Sequence, residues 1–325
     1  MSAKTFNVLI TDASIRPEGI EMLEAVASLT VLQSYTPEAG IIEAAREADA
    51  ILARAAVISE AVIQAAPKLK IVSRHGVGVD NVDVAACTRQ GVLVSITGDA
   101  NSEAVSEFAF GLLLAVARKV AQANAHIRAG QWNRDLFIGL ELYGKVLGII
   151  GLGRIGSRLG RHAAGFDMEA LAYDPYVDAN AAQAAGIALV DLEILLRRAD
   201  FISLHMPLTG ETRHLIGPAE LALMKSSAIL VNTARGGLID EAALYETLLN
   251  KRIAGAALDV FETEPLSQGN RLATLDNLLC SPHVAGQTEE SLLRMSVDAA
   301  ENILRVFRGE TPLGIVNPEV LDQQG

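Results

Sequence analysis

The hexapeptide GLGRIG at residues 151–156 constrains the fold more than any other feature of the chain. It follows the apolar run KVLGII (145–150) and opens a stretch, Arg154 to Ala164, that reads as a helix. A second apolar run, ALAYD (170–174), ends in Asp174, 18 positions beyond Gly156. Strand, glycine turn, helix and acid at that offset describe the dinucleotide-binding βαβ unit of a doubly wound sheet. Gly151 permits the tight turn, and Gly153 lets backbone approach a pyrophosphate. Gly156 lets helix and strand pack closely. The helix N-terminus, with Arg154 and Ile155 in its first turn, offers N–H donors and positive potential to that anion. A carboxylate at Asp174 accepts hydrogen bonds from ribose hydroxyls and repels a 2′-phosphate. The pattern therefore points to NAD as cofactor rather than NADP.

A second αβ series precedes the motif. FNVLI (6–10), LTVLQ (29–33), DAILAR (49–54), KIVSRH (70–75) and VLVSI (92–96) read as strands. Helical stretches, Glu18–Ala27, Pro37–Ala48 and Glu60–Ala66, fall between them. Strands alternating with helices imply an α/β chain with parallel sheets. The 325 residues suit two domains at about 150 residues each. Between the series lies an almost wholly apolar stretch, Ser102–Val120, expected to be one buried helix. After the glycine motif come FISLH (201–205), AILVNT (228–233), AGAALDV (254–260) and LLCSPH (278–283) as further strands. Thr288–Arg308 is an amphipathic helix, with Leu293, Val297, Ala300, Leu304 and Phe307 on one face and Gly309 to end it.

Composition excludes some partners. The 27 basic and 39 acidic residues give a net charge of -12, against the basic footprint that nucleic acids and anionic membranes require. A few arginines in one cleft still suffice for a small anionic ligand. Cys87 and Cys280 make no disulfide framework and read as reduced thiols. The N-terminus shows no signal-peptide pattern, and the longest uncharged apolar run, Phe108–Ala117, is short for a membrane span. The expectation is a soluble, cytoplasmic protein. The six histidines show no metal-ligand spacing, and no serine lies in a nucleophile elbow.

Three polar residues fall at or just past strand ends, where open parallel sheets bind ligands. Arg235 follows AILVNTA, Glu264 follows LDVFET, and His283 follows LLCSP. Singly, each reads as a surface or capping residue. Together they suit oxidation of a 2-hydroxy acid. The guanidinium forks onto a carboxylate, the imidazole takes the hydroxyl proton, and the carboxylate orients the imidazole. Spacing alone leaves open whether Glu264 and His283 meet.

The strings VNTARGGLIDE (231–241), GAALDVFETEP (255–265) and SPHVAGQTEES (281–291) resemble the signatures of the D-isomer-specific 2-hydroxyacid dehydrogenase family. GVGVDNVD (76–83) and GLGRIG add to the likeness, which runs from about Lys4 to the end of the chain. The resemblance implies Arg235, Glu264 and His283 as the catalytic set. It places His205, Pro207, Thr212, Thr233, Ala234, Asp259 and Gly286 near the cofactor. It also puts Arg74, Gly76, Val77, Gly78 and Asn101 in the substrate cleft.

The same resemblance implies two Rossmann-like domains. A discontinuous, flavodoxin-like substrate domain takes residues 1–98 and 287–325, and an NAD-binding domain takes 99–286. It further implies a homodimer or higher homo-oligomer, with Gln131–Tyr143 as an arm. Within the family, SRHGVGVDNVDVAACTRQG (73–91), WNRDLFIGLELYGKVLGIIGLGRIG (132–156) and GIVNPEV (314–320) are most similar to members acting on D-3-phosphoglycerate. Arg54, Arg74 and Arg134 match their basic positions, whereas Ala55 and Ala56 lack the hydroxyl those members offer. Reduction of hydroxypyruvate, glyoxylate or another 2-keto acid stays open. So does an NAD-sensing corepressor scaffold. A C-terminal regulatory domain is not expected.

Overall fold

The structure, a computed structural model, describes residues 6–322. Lys4, where the family likeness begins, and Gln323–Gly325 lie outside the described residues. The chain divides into two compact units, Met1–Asn101 with Gln287–Gly325, and Ser102–Gly286.

Among the described residues the first unit has a five-stranded parallel sheet. Its strands are β1 (Asn7–Ile10), β2 (Ser28–Val31), β3 (Ala50–Ala53), β4 (Ile71–Arg74) and β5 (Leu93–Ile96). They lie in the order β2-β1-β3-β4-β5, the flavodoxin-like arrangement, which reverses direction between β1 and β3. The central strands are buried on both faces, so they read as unbroken apolar runs. Helices Glu38–Ala45, Glu60–Gln64 and Val84–Arg89 cover one face. Pro17–Glu24 and Glu289–Phe307 cover the other.

The last helix starts where its sequence signals place it. The Thr288 side chain accepts the Ser291 N–H at 3.1 Å, and Gly309 leaves the helix at φ 76°. It docks through apolar residues and also through polar bonds. Ser73 donates to the Ala299 carbonyl at 2.9 Å, and His75 Nε2 lies 3.1 Å from Ser296 Oγ. His75 is buried. Burial, then the charge of Arg54, pushes its pKa down to about 4, against an opposing bond to the Leu292 backbone. A histidine kept neutral by folding binds its proton more readily when unfolded. Stability is therefore full above pH 6.5 and falls as the pH drops towards 4. The expected slope is about 1.4 kcal/mol per pH unit. Urea unfolding between pH 7 and 4 measures it, and His75→Gln should flatten that slope.

Among the described residues the second unit has a seven-stranded parallel sheet. Its strands are β6 (Val146–Ile150), β7 (Glu169–Tyr173), β8 (Ile187–Leu189), β9 (Phe201–Leu204), β10 (Ile229–Asn232), β11 (Gly255–Leu258) and β12 (Leu278–Cys280). The order is β12-β11-β10-β9-β6-β7-β8, with the reversal between β6 and β9. Helices Leu192–Arg198, Pro218–Leu223 and Glu241–Leu249 lie on one face. Ser102–Ala117 and Arg154–Ala164 lie on the other.

One expectation needs correction. The apolar stretch is not a single helix to Val120. It ends at Ala117, turns through Lys119 at φ 53°, and restarts as Val120–Arg128. The break has a tertiary cause. The Ala117 carbonyl accepts the Leu140 N–H at 2.8 Å, and Lys119 Nζ donates to the Leu136 carbonyl at 3.1 Å. No helix among the described residues is long and apolar enough to cross a membrane.

Candidate active site

The candidate residues of the second unit collect at the C-terminal edge of its sheet. Gly151 follows β6 with φ 96°, and its N–H donates to the Tyr173 carbonyl at 2.9 Å. A Cβ there would press on the His205 backbone at 2.8 Å, and one on Gly156 would overlap the Gly151 carbonyl. Both glycines are thus required by close approach. Around Gly153 the space is open, and Arg154 and Ile155 begin the helix beyond it. Asp174 braces this turn: one carboxylate oxygen accepts the Leu152 N–H and the other the Tyr176 N–H, each at 2.9 Å.

Across the switch point, His205 extends from β9, its N–H bonded to the Ile150 carbonyl at 2.7 Å. Its Nε2 meets Ser203 Oγ at 2.9 Å. Its buried Nδ1 has no hydrogen-bond partner among the described residues, and burial lowers its pKa to about 3. Thr212 Oγ1 donates to the Pro207 carbonyl at 2.7 Å and so folds the loop after β9. Past β10, the Thr233 hydroxyl is also buried with no partner among the described residues. Unpaired buried polar groups of this kind mark places where a bound molecule completes the hydrogen bonding. His205 borders the glycine cradle directly and Thr233 lies one strand further along the same edge, so the edge fits a dinucleotide.

Asn232 presents Arg235. Its carboxamide accepts the Ala234 N–H at 3.0 Å and donates to the Arg235 carbonyl at 2.8 Å, closing a tight turn. Glu264 and His283 do meet, with His283 Nδ1 2.7 Å from Glu264 Oε2. The other oxygen, Oε1, accepts the Phe261 N–H at 3.0 Å. Burial alone would raise the Glu264 pKa. Hydrogen bonds from His283 and Phe261, then the charges of His283 and Arg235, outweigh it and hold the pKa below the usual carboxylate range.

His283 stands at φ 53°, a left-handed conformation that costs a non-glycine residue about 1–3 kcal/mol. Asp259 holds it there. Its fully buried carboxylate accepts Ser281 Oγ at 2.6 Å, the Val284 N–H at 2.9 Å and the Ala285 N–H at 2.8 Å. Its carbonyl accepts the His283 N–H at 2.8 Å. The anchoring role of Asp259 and the turn made by Asn232 are missing from the sequence reading. The only signal was a polar residue inside or beside a buried strand. Gly286 closes the unit at the end of this loop.

The remaining candidates lie elsewhere. Arg54, after β3, and Arg74, at the end of β4, share the C-terminal edge of the first unit's sheet. Arg54 bonds Ser14, donates to Gln287 Oε1 at 3.1 Å, and lies 3.7 Å from the buried Asp12. Arg74 donates to Asn81 Oδ1 at 2.9 Å and to the His75 carbonyl at 3.0 Å. Asn81 also donates to the Arg54 and Ala56 carbonyls, at 3.1 and 2.6 Å, and so ties the two strand ends together. Gly76 exchanges hydrogen bonds with Thr97, and Val77 and Gly78 follow half-buried. Asn101 Oδ1 is buried with no partner among the described residues. Arg134 belongs to the second unit, on the exposed turn Arg134–Phe137. Among the described residues no cluster of three or more His, Cys, Asp or Glu is arranged to hold a metal.

Comparison with known proteins agrees with this geometry. Residues 110–285 match the family model described as D-isomer specific 2-hydroxyacid dehydrogenase, NAD binding domain. The chain is 46% identical over 98% of its length to the D-3-phosphoglycerate dehydrogenase of Methanocaldococcus jannaschii, of which it covers 60%. It is 41% identical over 94% of its length to the glyoxylate reductase of Korarchaeum cryptofilum, of which it covers 95%. A crystal structure of a Thermus thermophilus protein, 34% identical, superposes with a TM-score of 0.89 over 95% of this chain and 99% of that one. The chain thus spans about three fifths of the phosphoglycerate dehydrogenase and nearly all of the glyoxylate reductase. It belongs to the D-isomer specific 2-hydroxyacid dehydrogenase family and carries that family's NAD binding domain.

Proposed function

We propose that the protein is an NAD-dependent D-2-hydroxyacid dehydrogenase whose substrate is D-3-phosphoglycerate, or 3-phosphohydroxypyruvate in the reverse direction. The observation that carries the dehydrogenase part of this reading is the 2.7 Å His283–Glu264 pair beside Arg235, on the sheet edge that bears the glycine turn; the phosphorylated substrate is supported by Arg54 and Arg74 at one sheet edge of the first unit. When bound, NAD supplies the hydride acceptor, and NADH the donor, for carbon 2. Gly151, Gly153 and Gly156 admit the pyrophosphate, Arg154 and Ile155 begin the helix that faces it, and Asp174 takes the ribose. His205, Pro207, Thr212, Thr233, Ala234, Asp259 and Gly286 form its surroundings. Arg235 holds the substrate carboxylate. His283 takes the hydroxyl proton on oxidation and returns it on reduction, and Glu264 keeps its ring in place.

The first unit is the substrate domain in this reading, with residues 1–98 and 287–325 by the family likeness or 1–101 and 287–325 by compactness. Arg54 and Arg74 supply its cations for a phosphate, and Gly76, Val77, Gly78 and Asn101 are its other substrate residues. Reduction of glyoxylate or hydroxypyruvate is the second reading. It is favoured by the protein partners that Arg54 and Arg74 already have. NADH oxidation with 3-phosphohydroxypyruvate, hydroxypyruvate, glyoxylate, pyruvate and 2-oxoglutarate separates the two. We expect kcat/KM for the phosphorylated acid to exceed that for glyoxylate by about 10-fold or more. If it is not among the best substrates, the phosphate reading fails. No turnover with any of them would leave the NAD-sensing scaffold.

A homodimer belongs to the same proposal. Trp132, Ile138 and Tyr143 on the arm are 82, 76 and 73% exposed, apolar area that a second copy would cover. A solution mass of one chain would sink it. The two free cysteines fit a reducing, cytoplasmic setting.

A further inference from the structure

The loops that carry Arg235 and Glu264 are tied together by three side chains that the proposed chemistry does not use. Glu241 and Glu262 exchange hydrogen bonds. Glu262 Oε1 accepts the Glu241 N–H at 3.2 Å, and Glu241 Oε1 accepts the Glu262 N–H at 2.6 Å. His214 Nε2 lies 3.0 Å from the same Glu262 oxygen. The His214 N–H donates to the Gly237 carbonyl at 2.8 Å, and the Ile216 N–H to the Leu238 carbonyl at 3.0 Å. The segment around His214, the loop after Arg235 and the loop before Glu264 therefore converge on one carboxylate.

The contact between the two loops is direct. A Cβ on Gly236 would overlap the Phe261 carbonyl, so backbone packs on backbone there. The Phe261 N–H is itself a ligand of Glu264, so a shift of Phe261 moves the partner of His283. Simple bracing does not call for this chemistry. Glu241, Glu262 and Glu264 carry like charges close together, and their repulsion opposes the arrangement.

We propose that Glu262, with Glu241 and His214, is a positioning residue that sets the spacing of the Arg235 and Glu264 loops and so aims the Glu264–His283 pair. The turnover part of this proposal rests on the dehydrogenase reading of the site. The placement part does not.

Two variants of the full chain test it. Glu262→Ala should lower kcat about 10-fold while KM for NADH stays within about twofold. Glu262→Gln keeps an accepting oxygen for the Glu241 N–H and should return kcat to within about threefold of wild type. A brace that served stability alone would lower the melting temperature and leave kcat of the folded protein unchanged. Hydrogen exchange reads placement without turnover. In Glu262→Ala, peptides covering 235–241 and 259–264 should exchange about 10-fold faster, with those covering β6 unchanged.

Wild-type kcat, a parallel loss of kcat and NADH affinity, or unchanged exchange in both loops overturns the proposal. If wild type reduces no 2-keto acid, the dehydrogenase reading fails and the exchange data alone decide placement. Should Glu262→Ala not fold, His214→Ala at its half-exposed position carries the same test, with an expected loss in kcat of about sixfold.

Discussion

Replacing His283 with alanine should lower turnover by about 100-fold or more while leaving NADH binding intact. The expectation follows from how the ring is held. With its Nδ1 hydrogen given to Glu264 at 2.7 Å, the ring presents Nε2 as proton acceptor. With the imidazole gone, water is left to take the proton. NADH affinity should persist because the glycine turn, Asp174 and the helix start are built from other strands. Steady-state rates with the best 2-keto acid and a fluorescence titration of NADH measure the two halves. Near wild-type turnover would remove His283 from the mechanism, and lost NADH binding would mean that the variant damaged the edge more widely.

The second large effect should come from Asp259, which need touch no substrate. His283 is held in a conformation that costs about 1–3 kcal/mol, whereas each hydrogen bond to a charged group contributes about 1.5–3 kcal/mol. The Asp259 carboxylate makes three such bonds, to Ser281, Val284 and Ala285, so the anchor outweighs the strain. Asp259→Ala reverses that balance and leaves the buried Ala285 N–H without its partner. We expect a loss of about 3 kcal/mol in stability. Turnover should also fall more than NADH affinity, because the loop that aims His283 relaxes. Asp259→Asn should fall in between: one oxygen still accepts, but the amide turns donors towards donors. Urea midpoints with kcat for the three proteins check this order. Equal stability of wild type and Asp259→Ala would refute the anchoring role.

What the sequence discloses and what it hides follow from contact range. The glycine turn is legible because part of its demand is local: Gly151 stands at φ 96°, and the Gly151 carbonyl leaves no room for a Cβ on Gly156. The strands are legible because buried parallel strands are apolar runs, and Arg235, Glu264 and His283 stand out by following them. β8, Ile187–Leu189, is too short to show a pattern. The break at Lys119 is hidden because its cause, Leu140 on the Ala117 carbonyl, lies 23 residues away. Asn81, Asp259 and Glu262 share that difficulty. Apart from Arg74, seven residues from Asn81, their side-chain partners are 21 to 48 residues distant in sequence, and each reads locally as an ordinary polar residue.

The last helix has a consequence for synthesis on the ribosome. β1 is made well before Glu289–Phe307, which covers β3 and β4 with Ala299, Ala300 and Ile303. Residues 102–286 emerge in between. At about 5–20 residues per second, that interval lasts on the order of 10–40 s. During it, Ile10, Leu52 and Ile71 lack the helix that buries them. The half begun first is therefore the half completed last, and the nascent chain carries an open apolar sheet face while its other half has all it needs to fold.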